Sequence, residues 1–391
     1  MGKSIRSLNV SSAYHPVEEG NAGPVAYDST DWCQVLFQCF GSAWPRVVPF
    51  CIMNVLIMIT VTLLKQNKII NLGITKQTHT IAGMIVAFLL VSRIKTALDR
   101  YSTCRNDLNT MYLETGELIQ NAVVQSHSRS ACSENLDEKS CQWRNEVAYR
   151  ALILLRTSVA VVEYFSKGLP GWKYPELSGY EAAYATPSDS WERDYPSNPH
   201  DDYSNTTRIP FRMAYLLRKT ISAHDVRLIV PINVRHEISL LNSIDKFMAG
   251  FYGMRKFVTT PVPFPLVQMC RTIILIYVFT IPLVFLKIEE SQIVWDCISI
   301  FLITYGFMGL ELVAIELDDP FGDDENDFDT LGFARMVFED TYLLIAEVDG
   351  EEWANKLERR MGSKRLCDAK NLSEKNIISN SDKATTFGRI L

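Results

Sequence analysis

The sequence predicts an all-α integral membrane protein with four transmembrane helices in two pairs and a helical soluble region between them. Three observations lead there. Four uncharged or nearly uncharged runs approach the length of a bilayer crossing. Most are closed by Lys or Arg. The stretch between the pairs has the three- and four-residue apolar spacing of amphipathic helices. One apolar run could be a buried core helix of a soluble protein. Four such runs, paired along a 391-residue chain that is 47% hydrophobic, point to membrane.

Residues 1–45 form an N-terminal segment. Met1–Thr30 is polar, lacks a signal-peptide core, and carries Glu18, Glu19 and Asp28, which a transit peptide avoids. Residues 46–101 hold the first transmembrane pair. Val47–Leu64 is eighteen residues without a charge, bracketed by Arg46 and Lys65. Gln77–Ser92, between Lys76 and Arg93, is shorter and contains Gln77, Thr78, His79 and Thr80. That composition suits a helix partly shielded from lipid.

Residues 102–256 read as the soluble helical region. Asp107–Gln125, Glu146–Phe165 and Phe211–Lys256 are its helices. Ser126–Arg144 and residues 169–210 are its loops, rich in Ser, Pro, Gly and Asp. Residues 257–315 hold the second pair, Thr272–Leu286 and Ile293–Ile315. An acidic loop follows at 316–329, then a soluble helical segment at 330–358 and a flexible polar tail at 359–391.

Charges at membrane depth are costly, so Arg271, Asp296 and Glu311 should face protein, water or an interface; for Asp296 and Glu311 the alternative is a place at helix ends near the headgroups. Net charge is −6, which argues against a nucleic-acid partner. Nine cysteines include no CxxC pair, so free thiols are expected, although Cys132 and Cys141 could bridge a surface loop. The histidines of the soluble region, His127, His200, His224 and His236, are spaced as no metal pair is, and no nucleophile motif accompanies them. The chain is therefore not expected to be an enzyme.

Two constellations carry chemistry. Glu316–Asp329 holds eight carboxylates in fourteen residues, with Pro320 and Gly322 to break the helix. Crowded carboxylates suit a hard cation such as Ca²⁺, which relieves their repulsion. The pattern is not an EF-hand, because Gly322 counts back to Leu317 rather than to an Asp. A solvated loop capping helix N-termini is the alternative. The second constellation is the second span, where Met84, Phe88 and Ser92 share one helix face. Several copies around an axis would make that face a hydrophobic constriction; ordinary helix packing is the alternative.

Three segments resemble the bestrophin family of anion channels. They are Asp319-Pro320-Phe321-Gly322 with its acidic followers, the stretch Phe88–Tyr101 with Arg93 and Arg100 seven residues apart, and Thr260–Val267. They fall in the family's order, and the resemblance runs from Trp32 to Trp353. It implies a homopentamer in a lipid bilayer around one central pore. The neck rings would fall on Met84, Phe88 and Ser92. Ser92 replaces the usual aromatic and implies a wider or wetter inner end. In animal members a Ca²⁺ clasp uses the positions matching Glu316, Asp319, Asp324 and Asp327. Asp-Pro-Phe-Gly with Asn-Asp and the Thr-Pro-Val-Pro segment also resemble the plant, algal and bacterial branch, whose members are not all Ca²⁺-gated. The resemblance implies passage of chloride, nitrate or bicarbonate, in a plasma or thylakoid membrane. A membrane scaffold or channel regulator that binds Ca²⁺ without conducting is the other function class.

Overall fold

The computed structural model describes residues 30–67, 74, 76–130, 138–167, 208–286, 293–321 and 326–361, and no strand occurs among them. The helices are α1 Trp32–Phe37, α2 Trp44–Gln66, α3 Lys76–Ser130, α4 Glu138–Lys167, α5 Ile209–Ser222 and α6 His224–Arg227. They continue with α7 Val234–Thr259, α8 Phe264–Phe285, α9 Ile293–Asp318, α10 Thr330–Asp349 and α11 Glu351–Met361. Packing divides the chain into two units. Among the described residues, one lies within 30–106 and 256–328 and the other within 107–255 and 329–361.

The first unit contains the apolar parts of α2, α3, α8 and α9, all long and apolar enough to cross a membrane. At 1.5 Å per residue even the shortest, α8, reaches about 33 Å against a hydrocarbon core of ~30 Å. The protein is a multi-pass integral membrane protein. Each span buries one narrow stripe. On α2 it is Val47, Cys51, Asn54, Met58 and Thr62. On α8 it is Cys270, Ile274, Val278 and Ile281, and on α9 Ile300, Thr304 and Met308. Lipid is as apolar as these side chains, so packing shape and buried polar bonds must hold the helices together. Asn54 provides such bonds: its Nδ2 donates to the Val278 carbonyl at 3.1 Å and to Thr304 Oγ1 at 2.7 Å. One residue thereby ties α2 to both later spans.

The second unit has a soluble-type core. α4 is buried almost all round, with Trp143, Val147, Leu152, Ile153, Leu155 and Val161 nearly inaccessible. It packs against α5, α10 and α11. Trp143 Nε1 donates to the Thr220 carbonyl of α5 at 2.9 Å. Arg144 Nε lies 2.9 Å from both Asp349 oxygens, and both side chains are buried. Cys141 is a free thiol whose Sγ donates to Asp349 at 3.4 Å. Burial, then the Asp349 charge, push that thiol up to about 11, so it stays protonated and unreactive. Burial raises the Glu146 carboxyl, but Arg360 and Arg150 outweigh it and hold the group below the usual range.

The elements differ from the sequence expectation at their ends. The second span and Asp107–Gln125 are one 55-residue helix. Ser126, expected to open a loop, lies inside it. Its hydroxyl donates back to the Ala122 carbonyl at 2.8 Å, which satisfies a buried Ser within a helix. Glu138 rather than Glu146 begins α4, so most of the expected second half of that loop is helix. Phe211–Lys256 is three helices, because Leu228–Asn233 is non-helical around Pro231. There His224 Nδ1 accepts from the Ile232 amide at 3.1 Å and Nε2 faces Glu237 at 3.4 Å, so this buried histidine anchors a turn. Most of 169–210, the tail beyond Met361, Cys132 and His200 lie outside the described residues.

Removing Asp349 strands a buried guanidinium. Asp349→Ala should lower stability by about 3–5 kcal/mol, read from thermal or denaturant unfolding of the detergent-solubilised protein. A midpoint equal to the parent's would mean the pair holds nothing together.

Candidate pore wall and acidic loop

The apolar part of α3 has two unlike faces. Val86, Leu90, Arg93 and Ala97 are buried against the other spans. Met84 is 66% exposed and Phe88 74%, and Ser92 is exposed too. The three expected neck residues therefore stand together on the uncovered face, spaced about 6 Å along the axis. Ile81, Ile85 and Val91 widen that face.

The polar start of α3 is occupied by α8. The His79 ring stacks on Tyr277 at 4.3 Å and 21°, and His79 Nε2 lies 3.2 Å from Thr280 Oγ1. Thr80 Oγ1 donates back to the Lys76 carbonyl at 2.9 Å. Gly83 lets α8 approach this closely, because a Cβ there would strike the Tyr277 hydroxyl. The prolines at 261, 263 and 265 do interrupt the chain: α7 stops at Thr259, and α8 begins at Phe264 with Pro265 in its first turn.

At the other end of the spans, charges meet in pairs. Arg93 is 3% exposed and its Nη2 donates to Asp318. Arg271 Nε donates to Glu311 at 3.0 Å, and Arg46 Nη1 to Glu316 at 2.5 Å. The four-span chain brings these six residues to the same end. Arg46 opens the first span and Arg93 closes the second; Arg271 lies near the start of the third, and the acids end the fourth. Arg93 Nε and Nη1, Glu311 Oε2 and Asp318 Oδ1 are buried with no partner among the described residues. Groups of both signs left so would be bridged by internal water.

These pairings move element boundaries. The third span begins at Phe264 rather than Thr272, since Arg271 can sit within it once Glu311 faces it. The fourth runs to Asp318 rather than Ile315, so Glu316 and Asp318 belong to its last turn and the acidic loop proper starts at Asp319. Asp296 does lie in the first turn of α9, yet it is 7% exposed, and Glu311 is 4% exposed. The acidic loop is anchored by aromatic packing. Phe321 is 2% exposed and meets Phe328 and Phe257, and Tyr101 meets Phe328 at 5.0 Å. The Phe328 amide donates to the Pro320 carbonyl at 3.0 Å, closing the loop. Asn326 Nδ2 donates to the Gly41 carbonyl at 3.1 Å.

Of the four expected cation ligands, Glu316 is engaged by Arg46, Asp319 is exposed, Asp327 is 4% exposed, and Asp324 lies outside the described residues. Among the described residues no group of three or more His, Cys, Asp or Glu is arranged to hold a metal. Asp329 caps α10, accepting from the Gly332 amide at 2.7 Å, which is the capping role the alternative reading expected. Arg100 caps α7: it donates to the Phe257 and Thr260 carbonyls at 3.1 and 3.0 Å and lies over the Phe257 ring. The roles of Arg93 and Arg100 were missed from the residues alone. For Arg93 the available signal was an Arg closing the second span at the end where Glu311, Glu316 and Asp318 close the fourth; Arg100, bonded to backbone carbonyls, left none.

A helical membrane protein of four spans, closed at one end by paired charges and an aromatic-anchored acidic loop, defines the class. Residues 25–341 match the family model described as bacterial/fungal bestrophin protein, and the chain belongs to that family. It is 36% identical over 92 residues to the voltage-dependent anion channel-forming protein YneE of Salmonella typhi, covering 23% of this chain and 28% of that protein. The match spans under a third of that relative's length. The voltage-dependent anion channel-forming protein alr2987 of Nostoc is 23% identical over 296 residues, covering 76% of this chain and 86% of the relative. The fold matches crystal structures of single-residue variants of a bacterial bestrophin homolog from Klebsiella pneumoniae. One has a TM-score of 0.57 at 15% identity, covering 76% of this chain and 98% of that one.

If Arg93 and Asp318 act as a pair, exchanging them should outperform either single change. A double-mutant cycle of Arg93→Asp and Asp318→Arg should give a coupling of about 1–3 kcal/mol, toward the low end because Asp318 is partly exposed. Thermal stability in detergent reads it, and strictly additive losses would contradict the pairing.

Proposed function

We propose that the chain forms an anion-selective channel of bestrophin type, a homopentamer whose pore wall is the uncovered face of α3. The exposure of Met84, Phe88 and Ser92 in one line, on the span whose opposite face buries Val86, Leu90 and the charge-paired Arg93, carries this reading. A lone span in lipid has no need to hold its polar residues on one side and an apolar line on the other. Repeated around an axis, the line becomes stacked apolar rings. Such rings obstruct water and ions unless they widen. Met84 and Phe88 would form the dry part, and Ser92 a wetter end.

Aromatic ring edges carry partial positive charge, which Phe88 offers an ion that has shed water. The N-terminus of α8 adds positive dipole ends. Both favour weakly hydrated monovalent anions, so chloride, nitrate and bicarbonate fit, and no catalytic role is assigned. The names of the YneE and alr2987 relatives support the anion-channel reading.

Ca²⁺ is a second element of the proposal. Asp319, Asp324 and Asp327 supply hard oxygen ligands, with Glu316 joining them if Arg46 releases it. Asp327 would offer its carboxylate from a buried position.

Phe88→Ala should raise chloride flux in liposomes loaded with purified protein, with Val124→Ala, in the second unit, as a surface control. Equal flux for parent and Phe88→Ala would remove α3 from the pore wall. Asp324→Ala combined with Asp327→Ala should abolish any Ca²⁺ response in bilayer recordings, whereas an unchanged response would remove the clasp.

A further inference from the structure

We propose that Lys95 places a ring of positive charge just beyond the neck, and that this ring concentrates anions and sets the preference for anions over cations. The inference rests on the pore-wall reading of α3. At 100° per residue, Lys95 lies about 20° around the helix from both Met84 and Phe88. It stands about 4.5 Å along the axis past Ser92. It is exposed, as are Ser92 and Thr96 beside it. The helix face behind it is buried at Arg93 and Ala97, so the Lys95 ammonium does not share the charge pairs of the other spans.

Among the described residues no carboxylate lies within ion-pair distance of Lys95. The other arginines near this end are already committed: Arg46 to Glu316, Arg93 to Asp318, Arg271 to Glu311, and Arg100 to backbone carbonyls. Just beyond Ser92, Lys95 is thus an exposed cation of α3 with no ion-pair partner among the described residues. Asp99, one turn further on, is also exposed and would moderate the field. Ring edges and helix dipoles carry only partial charge, so a full charge flanking the neck adds the larger discrimination by sign. Low-dielectric walls focus such a field and raise the local concentration of the attracted ion.

Purified full-length protein in planar bilayers tests this, comparing parent, Lys95→Met, Lys95→Arg, Lys95→Glu and Phe88→Ala. At ~0.1 M salt, Lys95→Met should lower single-channel chloride conductance about two- to tenfold, and the deficit should shrink at ~1 M salt, where the Debye length is ~3 Å. Lys95→Arg should keep parental conductance. Lys95→Glu should move the reversal potential in a salt gradient toward cation permeation. If Phe88→Ala alters conductance while all Lys95 variants match the parent at both salts, the charge ring is wrong and the pore wall stands. If Phe88→Ala also leaves conductance unchanged, the underlying reading falls with it.

Discussion

The membrane unit depends on keeping charge satisfied where water is scarce. An Arg or carboxylate at membrane depth costs several kcal/mol unless it is paired or hydrated. Arg46, Arg93 and Arg271 meet Glu316, Asp318 and Glu311 one to one at one end of the four spans. The pairing lets α9 continue to Asp318 and α8 start before Arg271. It also joins the buried side of α3 to the root of the acidic loop. Four buried atoms there have no partner among the described residues, and internal water would satisfy them.

That joint frees the other face of α3. Since Val86, Leu90, Arg93 and Ala97 attach the helix to its neighbours, Met84, Phe88 and Ser92 need not pack within the chain. A stripe left open along a span has two uses, lipid or other copies of the chain around an axis. The stiffness of a 55-residue helix and the close His79–Tyr277 and Gly83–Tyr277 seam hold that stripe in place. Phe321, Phe328, Phe257 and Tyr101 hold the loop that begins beside Asp318.

The four spans were legible because apolar run length and closing charges are local signals. The Met84–Phe88–Ser92 face was legible from helical spacing and the family resemblance together. Which side of α3 was covered was not, because Arg93 read as an ordinary flanking charge and its partner lies 225 residues away. Span ends were misjudged for the same reason: Arg271, Glu316 and Asp318 are helix-compatible only in company that a window cannot see. The loop expected at Ser126 failed because a Ser can satisfy itself inside a helix. Glu316 was grouped with the loop by charge alone, although its carboxylate answers Arg46.

The pore wall is tested most directly by thiol modification during recording. In a background lacking the exposed Cys33 and Cys39, single cysteines would replace Met84, Phe88 and Ser92, and in separate variants Val86 and Leu90. A charged thiol reagent applied during bilayer recording should alter the anion current through the first three and leave the last two unchanged. Current that ignores modification at 84, 88 and 92, or that responds equally at 86 and 90, would contradict the assignment of this face to the pore.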